Sequence, residues 1–128
     1  MIYLDSSTVL AELLVEDRVL PRSAWRQSLV SSRLLEYEVR TRLHSRRLVS
    51  SHLAEATAIL GHVDLIELAP AVLARALEPF AVTVRTLDAL HLSTIEFLRS
   101  HRDDIELASF DERMLKAART LGIAIYEC

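Results

Sequence analysis

Apolar positions along the chain alternate between short continuous runs and longer stretches with helical spacing. Met1 to Leu4 is one such short run. It is followed at once by Asp5-Ser6-Ser7-Thr8, a cluster of helix-capping residue types, and by Val9 to Val15, whose apolar positions recur at helical spacing. This pattern predicts a strand leading into a helix. A polar connection broken by Pro21, with a short helix around Trp25, precedes a second predicted strand at Ser28 to Ser32 and an amphipathic helix from Arg33 to Leu48. Ser50-Ser51 is predicted to cap a third helix that ends at Gly61, a residue type suited to the left-handed conformation past a helix C-terminus. Val63 to Leu68 predicts a third strand. Pro70 suits the first turn of the next helix, and Pro79 requires that helix to have ended. Phe80 to Val84 has no clear pattern. Thr86 is predicted to cap a helix from Leu87 to Ser100, Ile105 to Ser109 alternates as a fourth strand, and Asp111 caps a last helix closing at Gly122. Ile123 to Tyr126 predicts a final strand.

Strand and helix therefore alternate with short connections, which favours right-handed crossovers. The expected fold is a single α/β domain over residues 1–128, with a central, mostly parallel twisted sheet of four to five strands and helices on both faces. At 128 residues the chain can bury roughly two thirds of its extended surface. With 51% hydrophobic and 26% charged residues, the composition is that of a globular domain and not of a disordered chain.

Charge and chemistry narrow the function. A net charge of -3 argues against a simple basic nucleic-acid binder held by phosphate neutralisation. Arg33, Arg40, Arg42, Arg46 and Arg47 nevertheless gather in one segment, and Lys116 is the sole lysine, a bias that a preference for arginine in coding explains equally well. The one cysteine, Cys128, offers no internal disulfide and no cysteine zinc motif. No apolar run approaches membrane-spanning length, and the opening lacks the pattern of a signal peptide, so a cytoplasmic protein without a membrane partner is expected. With both glycines at helix ends, no Gly-rich phosphate loop is available, and no nucleophile elbow is present.

Four acids stand out by position: Asp5, Glu38, Asp88 and Asp111 each follow an apolar run or lie in the first turns of the next helix. Singly, each has an ordinary explanation. Asp5 belongs to a turn, Asp111 is a good N-cap, Asp88 is a first-turn acid, and Glu38 has Arg42 four residues on. If the runs are adjacent parallel strands, however, the carboxylates converge outside the strand ends, where ligands bind in such sheets. Four hard oxygen donors there match Mg²⁺ or Mn²⁺. Ser6 and Ser109 add hydroxyls able to orient a carboxylate, or serve as ordinary capping residues. Glu36 competes with Glu38, and His91, one turn after Asp88, is either a second contact of the site or a satisfied core histidine.

In this order the four segments resemble the PIN domain family, and within it the VapC-type toxins of toxin–antitoxin pairs. Ile2-Tyr3-Leu4-Asp5-Ser6-Ser7 is similar to the family's first motif, and Ser32-Arg33-Leu34-Leu35-Glu36-Tyr37-Glu38-Val39 to its second, whose acid falls on Glu38 because Val39 follows it. Leu87-Asp88-Ala89-Leu90-His91-Leu92 is similar to the third. Ser109-Phe110-Asp111-Glu112-Arg113 is similar to the fourth, with Ser109 where Thr is common. The resemblance covers essentially the whole chain. It implies an Mg²⁺- or Mn²⁺-dependent endoribonuclease directed at single-stranded segments of RNA, with tRNA or rRNA among typical targets. It further implies a cognate antitoxin partner and a homodimer, with Asp5, Glu38, Asp88 and Asp111 as catalytic metal-holding residues and Ser6 and Ser109 in support. Two rivals remain: a receiver-type phosphoacceptor domain, which needs a cation at a strand end, and a PIN-like module that binds protein without catalysis.

Overall fold

A computed structural model describes residues 1–127 of the chain; Cys128 lies outside the described residues. In chain order the elements are β1 (Ile2–Leu4), α1 (Ser6–Leu13), α2 (Arg22–Trp25), β2 (Leu29–Ser32), α3 (Leu34–Ser45), α4 (Val49–Leu60), β3 (Val63–Ile66), α5 (Pro70–Ala76), α6 (Thr86–Arg99), β4 (Glu106–Ala108), α7 (Glu112–Thr120) and β5 (Ala124–Ile125). The five strands pair in parallel throughout, in the order β3-β2-β1-β4-β5. The α/β fold read from the sequence is thus the observed one, with a five-stranded sheet.

Period-two alternation distributes the strand side chains between two cores. Ile2, Leu4, Leu29 and Ala108 face one cluster, joined by Val9 and Leu13 of α1 and by Leu35, Val39 and Leu43 of α3. Tyr3, Val30 and Leu107 face the other, with Leu92 and Ile95 of α6 and Met114 and Ala118 of α7. Each face is therefore covered by helices, as a parallel sheet requires. The four-residue spacing of Leu35, Val39 and Leu43 gives α3 its buried stripe, and all three are at most 1% exposed. Truncating Leu43 to alanine would cost about 2–5 kcal/mol.

Several helix ends differ from the sequence expectation. The helix predicted to reach Leu48 stops at Ser45, because Arg47 takes a left-handed conformation (φ 57°) and the Leu48 amide turns back to the Leu43 carbonyl at 2.8 Å. α4 begins at Val49 after Leu48, so Ser50 and Ser51 lie inside its first turn and do not cap it. Gly61 stays right-handed at φ -64°, so only Gly122, at φ 69°, uses glycine's freedom. There Arg99 donates to the Gly122 and Leu121 carbonyls at 2.9 and 3.1 Å, covering the C-terminal end of α7. Thr86 is the first helical residue of α6, and Arg85 takes the cap position in extended conformation.

The strand order reverses between β1 and β4. The chain winds outward from β1 through β2 to β3, then returns to lay β4 on the other side. Crevices of this kind, at the carboxyl ends of the strands, are where open parallel sheets bind ligands. The N-termini of α1, α3 and α7, which directly follow β1, β2 and β4, are directed to that edge by the βα connectivity, bringing positive helix ends toward it.

Candidate active site

Register carries the first two acids together. Leu4 of β1 pairs with Ala108 of β4, so Asp5 and Ser109 are the next residues on adjacent strands. Asp5 is 5% exposed, and its Oδ2 accepts from Ser109 Oγ at 2.7 Å and from Ser7 Oγ at 2.8 Å. It occupies the cap position of α1, yet its side chain makes no capping bond there; Thr8 Oγ1 donates to its carbonyl instead. Ser7 and Ser109 in turn accept the amides of Phe110 and Asp111 at 2.9 and 3.0 Å, locking the turn after β4 onto the turn after β1. Asp111 caps α7 by accepting the Arg113 amide at 2.9 Å through Oδ1, leaving Oδ2 toward the cleft.

Glu38, one turn into α3, is held from two sides. Its Oε1 is 2.5 Å from His91 Nε2, and its Oε2 receives Ser6 Oγ at 3.3 Å. His91 is fully buried and its Nδ1 lies 2.7 Å from the Tyr3 hydroxyl. Burial alone would lower the imidazole's affinity for a proton, but the Glu38 hydrogen bond and charge outweigh it and raise the pKa. Burial pushes the Tyr3 phenol far up, so it remains a hydroxyl.

Asp88 and Asp111 lean on a different partner. Arg85 Nε lies 3.6 Å from Asp88 Oδ2, and its Nη2 lies 3.4 Å from Asp111 Oδ2. Asp88 has its pKa raised, first by desolvation and then by the charges of Asp111 and Asp5, with Arg85 opposing.

All four sequence-predicted acids line one cleft of about 640 Å³, together with Ser6, Ser7, Arg42 and Arg85. Ser109, the other supporting residue, sits behind Asp5 and not in the lining. Glu36, the competing acid of the second segment, pairs instead with Arg33 at 3.8 Å on the surface. Among the described residues no three acidic or histidine side chains stand in direct ligating geometry. Carboxylate oxygens of Asp5, Glu38 and Asp111 are engaged instead by the serines, His91 and Arg85. The donor set itself fits a hard divalent cation: carboxylates of Asp5, Glu38, Asp88 and Asp111 on one cleft, with Asp111 and Asp5 raising the pKa of Asp88 and the exposed guanidinium groups of Arg85 and Arg42 in the same lining as counter-charge.

Sequence reading missed Ser7, Arg85 and the Tyr3 contact, and took Arg42 only as a helical neighbour of Glu38. Arg85 precedes Asp88 by three residues, the spacing of neighbours on a helix. Tyr3 is the one residue with a polar group in an otherwise aliphatic strand, a sign that a buried partner exists.

A parallel α/β sheet reversing at β1 and β4, with acids from four segments in the crevice, defines a class, and the chain belongs to it: the PIN domain family, whose model matches residues 2–120. Among curated proteins the chain is 36% identical over 129 residues to Ribonuclease VapC46 of Mycobacterium tuberculosis, a match covering 97% of this chain and 95% of that protein.

Proposed function

We propose that the chain is a metal-dependent endoribonuclease and the toxin of a toxin–antitoxin pair, its residues 1–128 forming one catalytic domain. The observation that carries this reading is the convergence of Asp5, Glu38, Asp88 and Asp111, from four separate elements, on one cleft that also holds Arg85 and Arg42. The likeness to a VapC ribonuclease over nearly the full length of both chains supports it.

The four carboxylates would hold Mg²⁺ or Mn²⁺, directly or through water; when bound, the ion supplies Lewis-acid polarisation of the phosphate and a lowered pKa for its water. The chain's own residues do the rest. Ser7 and Ser109 fix Asp5 Oδ2 in one orientation, so that Oδ1 is the oxygen left free. Arg85 and Arg42 bring guanidinium groups to a cleft that would otherwise repel polyanionic RNA, and their planar donors match phosphate oxygens. Leu10, Leu87 and Phe110 add apolar wall against which bases or riboses can rest.

Targets of the tRNA or rRNA class, a cognate antitoxin that covers the acidic groove, a homodimer and a cytoplasmic setting complete the reading. For the last, the structural statement is that no helix among the described residues is long and apolar enough to cross a membrane. The receiver-type alternative loses ground because Lys116 is exposed on α7, away from any strand end.

Metal-free protein incubated with structured RNA tests the proposal. Cleavage on adding Mn²⁺ or Mg²⁺, abolished by EDTA and by Asp5→Asn, is expected. A folded Asp5→Asn protein that cuts as well as the wild type contradicts it, and a wild type that neither cuts nor binds metal points to the non-catalytic module.

A further inference from the structure

His91 is completely buried, yet it is bonded at both ring nitrogens, and the roles assigned above leave it without a task. The Tyr3 hydroxyl at its Nδ1 also accepts the Ser32 amide at 3.2 Å. The Glu38 carboxylate only accepts, so Nε2 carries the proton between them, and the Tyr3 hydroxyl, able to donate or accept, meets Nδ1 in either ring state. The contacts run without a break from the Ser32 amide of β2 through Tyr3 of β1 and His91 of α6 to Glu38 of α3. The ring's tilt is fixed as well, edge-on to Tyr3 with centroids 5.8 Å apart and planes at 84°.

Glu38 needs such a clamp. Its side chain has three rotatable bonds and stands in the second turn of a helix, with Arg42 one turn further on in the same cleft lining. Its cleft-side contact, Ser6 at 3.3 Å, is long. His91 removes this freedom from behind by engaging Oε1, which leaves Oε2 beside Ser6 on the side of the cleft that both residues line.

We infer that His91, anchored by Tyr3, is a positioning residue that orients the Glu38 carboxylate for metal. It touches neither substrate nor reacting atoms. The inference rests on Glu38 being a metal-holding residue, and it extends that reading by assigning the buried Tyr3–His91 pair a function beyond core packing. Hydrogen-bond partners behind a ligand commonly contribute about 10–100-fold to metal affinity.

Direct Mn²⁺ binding to the purified full chain, read from the free-ion paramagnetic resonance signal at fixed pH, separates orientation from mere packing. His91→Leu, which keeps bulk and removes the donor, is expected to bind Mn²⁺ about tenfold or more weakly. His91→Gln, which restores an N–H, is expected to regain most of that loss. Tyr3→Phe, which keeps the ring and frees its Nδ1, is expected to lose a severalfold share. In cleavage assays the Mn²⁺ concentration for half-maximal rate should shift while KM for RNA at saturating metal holds. A folded His91→Leu with wild-type Mn²⁺ affinity overturns the inference; should that variant not fold, wild-type affinity in Tyr3→Phe overturns it equally. Glu38→Gln is the separate control: unchanged Mn²⁺ binding there refutes the ligand role of Glu38 itself, whereas weakened binding there with indifferent His91 variants refutes only the positioning role.

Discussion

The two halves of the cleft are built differently. Asp5 and Glu38 are held by short bonds from Ser7, Ser109 and His91, most of them buried. Asp88 and Asp111 instead face a single guanidinium whose side chain is 64% exposed, at 3.6 and 3.4 Å. One half is pre-organised by the sheet and the core; the other is balanced by a charge that can leave. A divalent ion entering the cleft would meet two carboxylates already oriented and two whose counter-ion it can displace. The contrast also separates stability from function, since neutral buried bonds contribute to both whereas exposed ion pairs contribute little to the fold.

The largest expected effect is on the pre-organised side. Asp5→Asn should reduce RNA cleavage by more than about a hundredfold, beyond what loss of an outer contact causes, while far-UV circular dichroism stays unchanged. Ser109→Ala comes next. It deletes the bond to Asp5 and the acceptor of the Asp111 amide, so a loss of about tenfold in metal affinity and about 1–3 kcal/mol in denaturant stability is expected.

On the balanced side the effects on stability are smaller and partly reversed in sign. Asp88 has a raised pKa in the folded, metal-free protein. The folded state therefore keeps that proton where the unfolded chain has lost it, and Asp88's contribution makes stability fall as pH rises through the folded pKa. Asp88→Asn should flatten this slope above the ordinary carboxylate range in titrations with EDTA and stabilise the metal-free protein at neutral pH by about a few tenths of a kcal/mol, while abolishing metal-dependent cleavage. If Asp88→Asn instead destabilises the metal-free protein at neutral pH, the two halves are alike. Arg85→Gln should be nearly silent in stability. It should raise KM for RNA severalfold and reduce the dependence of log affinity on log salt by about 0.7, the share of one single-strand phosphate.

Legibility in the sequence does not follow this division. Periodicity placed every strand and helix because buried stripes such as Leu35, Val39 and Leu43 leave a strong pattern. The four acids were legible because each follows a strand or lies in the first turns of a helix, and the likeness of the second motif, with Val39 after its acid, pointed to Glu38 and not Glu36. Helix ends were harder. Arg47 adopts a left-handed conformation without being glycine, and Gly61 declines to, because tertiary packing overrides the local preference. Among the partners of the acids, Ser6, Ser109 and His91 were candidates with ordinary explanations beside them, whereas Ser7 and Arg85 were not; Ser7–Asp5 is local, but Ser109–Asp5 and His91–Glu38 span 104 and 53 residues. Such pairs exist only once β1 lies beside β4 and α6 beside α3, and spacing along one chain does not encode that adjacency residue by residue.

Crystals soaked in Mn²⁺ and measured at the manganese absorption edge give the most direct test of the central claim. The account predicts an anomalous peak in the cleft within bonding or one-water reach of Asp5 and Asp88, with Arg85 turned away from Asp88 and Asp111. A peak elsewhere on the molecule, with the cleft empty and Arg85 still bridging the two aspartates, would contradict it.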